Sequence, residues 1–302
     1  MTTIAVTGAS GFCGSHIAVE AAARGFDVLS VGRRPGPVGR HVLWDAAAEV
    51  PDLSGADLVV HCAAAVGDPA PGSPAEARMR AVNVDGTSRL IEAAAGRPVI
   101  WVSSASVYAP GLGCSRIPEH HPVRGQLNAY GRTKAEGEAL ALASGAVILR
   151  PRAVYGQGDP HLVPRLLTHV RRGLLMLPGK DVRLSLTAVE NLTAACLAAV
   201  GWAPGAYNIA DPEPYWRDEA VRTVLQAHGV RARIAHAPLP AARAAARVVE
   251  SLARLSPTSA PVLTRYAVAQ LAHSVVLDVS KAEGQGWTPC RSLTDYAGAL
   301  RT

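Results

Sequence analysis

Lysine, aromatic residues and paired cysteines are all scarce in this chain of 302 residues, and each scarcity excludes something. Only Lys134, Lys180 and Lys281 are lysines, so arginine carries the formal net charge of +6. Those arginines are dispersed, and Phe, Trp and Tyr make up only 5% of residues. Nucleic-acid binders need basic clusters interleaved with aromatics, so no nucleic-acid partner is expected. The cysteines (Cys13, Cys62, Cys114, Cys196, Cys290) are scattered, odd in number and never spaced CxxC. That pattern fits a reducing, cytoplasmic setting better than a disulfide framework or a zinc site, and no metal is expected. No apolar run of about 18 residues is free of charge or breakers, which argues against a membrane span. The opening MTTIAV leads straight into a glycine loop and reads as a strand, not a signal peptide.

Apolar residues make up 49% of the chain, enough to bury a large core. TIAVT (3–7) reads as a buried strand, followed by a glycine loop and a helix from about Ser15 to Arg24. Further strands are expected at Asp27–Val31, His41–Trp44, Asp57–Cys62 and 98–104, with one amphipathic helix over 76–95. The helix that would usually link the second and third strands is missing. Strands alternating with helices at this spacing imply a parallel sheet wound on both faces. Ligands in such sheets bind beyond the carboxyl ends of the strands. The polar motifs here fall at those ends, after Thr7, Val31, Cys62, Val102 and Leu149. Residues 1–150 are expected to form a dinucleotide-binding domain, and 151–302 mainly a smaller, interleaved substrate-binding region. YNIA (207–210) would return to the main sheet. The Ala/Arg stretch 240–255 reads as a helix with its Ala, Val and Leu face turned inward, a surface-seeking helix being the alternative.

In TGASGFCG (7–14), Gly8, Gly11 and Gly14 follow a strand and open a helix. A pyrophosphate can approach the backbone only where side chains are absent, and the helix N-terminus favours an anion. Ser10, Phe12 and Cys13 complete that candidate loop. At the end of the second strand an acid would bond a ribose 2′-hydroxyl, whereas arginine would accommodate a 2′-phosphate. Arg33 and Arg34 stand there without an acid, which favours NADP(H), with NAD(H) possible. Asp45 is a candidate for the adenine edge or an ordinary loop aspartate.

Tyr130 and Lys134 are four residues apart, so a helix sets them on one face. A tyrosine pKa near 10 must fall about three units, roughly 4 kcal/mol, for the group to act as a base near neutrality. Lys134 and a positive nicotinamide ring have the charge to lower it. Ser104, at a strand end in SSASVY (103–108), can hold a substrate oxygen. Ser103 and Ser106 are its neighbours, and strand alternation favours Ser104. Tyr108 and Cys114 are expected to border the substrate cleft. His120 and His121 lack a third ligand at a useful spacing, so they read as loop residues.

With these motifs assembled, the chain resembles the extended short-chain dehydrogenase/reductases, the NAD-dependent epimerase/dehydratase family, over nearly its whole length. The marks are TGASGFCG, HCAAAV (61–66), NVDGT (83–87), SSASVY, YGRTK (130–134) and LRPRAVYG (149–156). The resemblance implies a Rossmann-type fold, a pyrophosphate held at Gly8, Gly11 and Gly14, and catalysis by Ser104, Tyr130 and Lys134. It also implies that Ala63, Ala64, Ala65, Asn83 and Pro151 border the cofactor, and that the protein is a homodimer. In nucleotide-sugar epimerases the RP motif usually carries an asparagine where this chain has Ala153. The stretches TAVENLTAACLAAV (187–200), PVLTRYAVAQLAH (261–273) and DVSKAEGQGWTP (278–289) resemble the 3β-hydroxysteroid dehydrogenase branch, and the last two also resemble 3-oxoacid and flavonoid reductases. A ketone/secondary-alcohol oxidoreductase with a small, fairly apolar substrate is therefore the expected activity. The alternatives are a nucleotide-sugar epimerase or dehydratase, which would clamp a diphosphate with Arg165, Arg183 and Arg217, and a non-catalytic nucleotide sensor.

Overall fold

Short runs such as LVVH and VIWV are apolar on both faces, which suits strands covered by helices on each side. A computed structural model describes residues 1–111, 116–255 and 264–300. The chain begins β1 (Thr3–Thr7), α1 (Phe12–Ala23), β2 (Asp27–Gly32), β3 (Arg40–Leu43), β4 (Leu58–His61), α2 (Pro74–Arg80), α3 (Gly86–Ala94) and β5 (Val99–Val102). It continues through α4 (Ala129–Ala143), β6 (Val147–Pro151), β7 (Val154–Tyr155), α5 (Leu162–Thr168), β8 (Leu174–Pro178), β9 (Arg183–Leu184), β10 (Thr187–Ala188) and α6 (Val189–Ala198). The last part holds β11 (Gly205–Ile209), β12 (Tyr215–Trp216), α7 (Arg217–Ala227), β13 (Arg233–Ala237), α8 (Leu239–Leu255), α9 (Arg265–Ala272), α10 (Ser280–Glu283) and α11 (Leu293–Ala299).

Seven strands form one sheet in the order β11-β6-β5-β4-β1-β2-β3, and every pairing in it is parallel. This is a doubly wound Rossmann-type sheet. The winding reverses between β1 and β4, so a crevice opens there at the strands' carboxyl ends. On one face α1 and α6 bury Ile17, Ala18, Leu192 and Ala195. On the other, Leu90, Ala94 and Ala141 from α3 and α4 pack with Trp44 and Trp101. A smaller layer after β6 is built on the pairs β7–β10, β9–β12 and β8–β13. None of the described helices is long and apolar enough to cross a membrane.

Two local features depart from a simple pattern reading. The stretch expected as one helix over 76–95 is α2 and α3 joined by a π-helical turn at Ala81–Asp85. Such turns insert an extra residue and often mark functional positions; Asn83 sits inside this one. Helix α1 begins at Phe12, ahead of the expected Ser15, because Gly11 takes the N-cap position.

Candidate active site

The glycine loop is shaped by close approaches that no other residue would permit. Gly8 has φ +68°, and a Cβ there would lie 2.9 Å from the Ala63 backbone. A Cβ on Gly14 would meet the Gly8 carbonyl oxygen at 2.3 Å. The first turn of α1 contains no acidic residue and Gly11 offers no side-chain cap, so the positive end of the helix is left for an anion. Across the crevice, the Thr7 hydroxyl accepts from the N–H groups of Cys62 and Ala63, each at 3.1 Å. That bond presses the Ala63–Ala65 loop against the glycine loop. A dinucleotide pyrophosphate fits this cradle. Pro151 ends β6, with its backbone paired to Ile209. Arg33 and Arg34, just past β2, are exposed and have no hydrogen bond or ion pair within the described residues. Asp45 is engaged locally, accepting from the Ala47 N–H at 3.0 Å and facing Arg78 at 3.8 Å.

Ser104, Tyr130 and Lys134 converge at the carboxyl ends of β5 and β6. Asn128 caps α4 by accepting from the Gly131 N–H. Gly131 and Gly137 let α4 lie close: Cβ atoms there would stand 2.9 Å from the Ser106 carbonyl oxygen and 2.4 Å from that of Asn83. Lys134 is thereby buried, donating to the Val102 carbonyl at 2.7 Å with its ammonium 3.6 Å above the Trp101 ring. Burial lowers its pKa to about 7, with Glu138 and Cys62 pulling the other way. Burial pushes the Tyr130 pKa above the ordinary value, helped by Tyr266 and Cys13, and the nearby Ser104 hydroxyl offsets this only in part. Lys134 is not among the groups that lower it, so the expected depression is absent in the protein alone and the removal of water dominates. Tyr130 therefore keeps its proton at neutral pH. Ser103 points the other way, into a buried bond with Glu138.

Asn83 ties these parts together. Its Oδ1 accepts from the Ala65 N–H at 2.7 Å, and its Nδ2 donates to the Ala65 carbonyl and the Thr133 hydroxyl, both at 3.0 Å. One side chain therefore locks the β4 loop to the residue before Lys134.

Two features beneath the site are absent from the sequence reading. A buried network runs from Ser103 to Glu138, on to Arg150 by an ion pair, then to Tyr108 and Asn208. Arg150, a charge within an otherwise apolar strand, was its available signal. His61 bonds Thr7 at 2.7 Å and lies between Trp44 and Trp101. Burial first, then the nearby Lys134, lower its pKa to about 3, so it is neutral. Burial likewise raises the Cys13 thiol to about 12, which leaves it no nucleophile.

A cleft opens beside Ser104, lined by Ala105, Tyr108, Ile117, Arg152, Tyr266 and Val275 among others. Tyr108 borders this cleft, and Cys114 lies outside the described residues. His121 packs edge-on against Tyr108, and no metal-binding cluster exists among the described residues. Of the three arginines considered for a diphosphate, Arg217 is buried against Asp218 and two carbonyls. Arg183 is held by the Pro214 carbonyl and the Trp216 ring, and Arg165 is exposed on α5. Ala153 has φ +46°, a left-handed backbone that asparagine tolerates better than alanine.

Fold, glycine cradle and the Ser–Tyr–Lys convergence together define a class, and comparison with known proteins agrees. The sequence model of the NAD dependent epimerase/dehydratase family matches residues 4–210. The chain belongs to this family and is an enzyme of it. The 4-hydroxy-2-methyl-3-oxo-4-farnesyl-3,4-dihydroquinoline-1-oxide ketoreductase of Stigmatella aurantiaca is 28% identical, over 92% of this chain and 89% of its own length. A 2-alkyl-3-oxoalkanoate reductase of Stenotrophomonas maltophilia is 33% identical, over 75% of this chain and 76% of its own. Among solved structures, MoeE5 in complex with UDP-glucose and NAD matches with a TM-score of 0.76 at 27% identity, covering 99% of this chain and 97% of that one.

Proposed function

We propose that this enzyme interconverts a ketone and a secondary alcohol on a small, largely apolar substrate, with NADP(H) the favoured cofactor. The observation that carries this reading is Tyr130, kept protonated next to Ser104, beside a cleft with apolar walls at Ala105, Ile117, Leu127 and Val275. A bound nicotinamide would supply or accept the hydride. Ser104 would hold the substrate oxygen, and Tyr130 would donate its proton as the carbonyl becomes an alkoxide. Lys134, titrating near neutrality, would return a proton to Tyr130.

Two relatives named as ketone reductases support the redox reading. Arg33 and Arg34 support NADP(H), since both guanidiniums are free to bond a 2′-phosphate. A nucleotide-sugar reading draws on the ligands of the structural neighbours. The commitments of Arg183 and Arg217, together with Ala153, count against it. We also infer a homodimer paired through α3 and α4, which would cover the exposed Leu140 and Leu142; sedimentation velocity tests that pairing. For the activity, NADPH consumption is followed with a panel of aliphatic and alicyclic ketones. Ketone-dependent oxidation of NADPH supports the reading. Interconversion of UDP-hexoses without net cofactor change would overturn it.

A further inference from the structure

Three arginines are buried in the described residues, and two have a carboxylate: Arg150 has Glu138, and Arg217 has Asp218. Arg152, the third, has none among the described residues. Its guanidinium donates only to neutral acceptors, the Gln270 side-chain oxygen at 2.6 Å and the Gln270 carbonyl at 3.2 Å. Its Nε is buried without a partner. Burying a cation without an anion is unfavourable by several kcal/mol, and here it lowers the arginine pKa to about 10. The surroundings hold it in place nonetheless. Arg152 follows β6 directly, and its N–H donates to Thr187 at 3.0 Å.

The side chain lines the same cleft as Ser106 and Tyr108. Tyr266, on α9, lies within electrostatic reach of both Arg152 and Tyr130. The unmatched cation therefore faces the space beside the candidate proton donor. We propose that Arg152 recognises an anionic substrate, an oxo acid whose carboxylate binds the guanidinium while its ketone meets Ser104 and Tyr130. A single guanidinium matches a monoanion bidentately, and a charged oxygen is a stronger acceptor than the Gln270 amide it would displace. Among the other lining residues, Ala105, Ala109, Ile117 and Val275 suit an alkyl chain, beside the polar Ser106, Gln126, His273 and Ser274. The ketone half of this proposal rests on the oxidoreductase reading; the anion half does not.

The two halves are tested separately. Calorimetric titration of the cofactor-loaded enzyme with octanoate and with octanamide reads anion recognition without turnover. Octanoate is expected to bind at least tenfold more tightly than octanamide. That preference should vanish in Arg152→Gln and return in part in Arg152→Lys. Equal affinities in the wild-type enzyme overturn the proposal, whether or not the variants fold, and so does a preference that survives in folded Arg152→Gln. Turnover of 3-oxooctanoate is then compared with its methyl ester, the acid preference being expected in KM. If octanoate is held as described but no ketone is reduced, the redox reading fails and the anion site stands. If ketones are reduced with acid and ester alike, the redox reading stands and the anion site falls.

Discussion

Replacing Asn83 by alanine should loosen the candidate site without touching any group that would contact substrate. Three hydrogen bonds disappear: two to the Ala65 backbone and one to the Thr133 hydroxyl. Thr133 still donates to the Ala129 carbonyl, so its hydroxyl is not orphaned. The Ala65 N–H and C=O are the groups left wanting, and both are partly buried. At about 1 kcal/mol for each lost bond, plus a small cavity, the cost is roughly 3 kcal/mol. For a domain of this size that lowers Tm by roughly 6–10 °C. Cofactor affinity should fall as well, since the Ala63–Ala65 loop loses its tie to α4. Asn83→Asp sharpens the test. It keeps the acceptor for the Ala65 N–H but turns lone pairs toward two oxygens. It should therefore be less stable than Asn83→Ala at pH 8 and recover on acidification, when the protonated acid can donate again. Scanning calorimetry at two pH values reads both effects. A Tm within about 1 °C of wild type for Asn83→Ala would refute this account of the hub.

Removing both phosphate candidates, Arg33→Ser with Arg34→Ser, should weaken NADPH binding by roughly 10–100-fold per lost charged bond and leave NADH nearly unchanged. Fluorescence titration of the two nucleotides checks this, and an equal effect on both would remove the case for the arginines. His61 should make the fold acid-sensitive. Its pKa is lowered from 6.5 to about 3 on folding, so the unfolded chain binds the extra proton first. Stability then falls as pH drops from about 6.5 toward 3, by about 1.4 kcal/mol per unit from this group at most. Denaturant titrations of His61→Phe across that range should show a shallower slope than wild type.

Much of the fold was legible because parallel strands buried on both faces must be apolar throughout, and TIAVT, DLVVHC and PVIWVSS could hardly be anything else. The glycine spacing was equally plain, since backbone approaches under 3 Å at Gly8 and Gly14 permit no side chain. The convergence of Ser104, Tyr130 and Lys134 followed from strand-end and helix-face geometry. Electrostatics was harder to read. Proximity in sequence suggested that Lys134 lowers the Tyr130 pKa, but desolvation depends on what the whole fold packs over a group. The Ser103–Glu138–Arg150–Tyr108–Asn208 network also escaped, because its members are scattered from residue 103 to residue 208. Arg152 looked like one arginine among many until its burial and lack of a carboxylate became visible.

The most direct test is the rate of ketone reduction by Tyr130→Phe, measured in single turnover beside its affinity for NADPH. The substitution keeps the ring and removes only the hydroxyl. A loss of roughly 10²–10⁴-fold in the reduction step, with NADPH affinity within a few-fold of wild type, is the predicted result. Reduction within tenfold of wild type would contradict the assignment of Tyr130 as the proton donor.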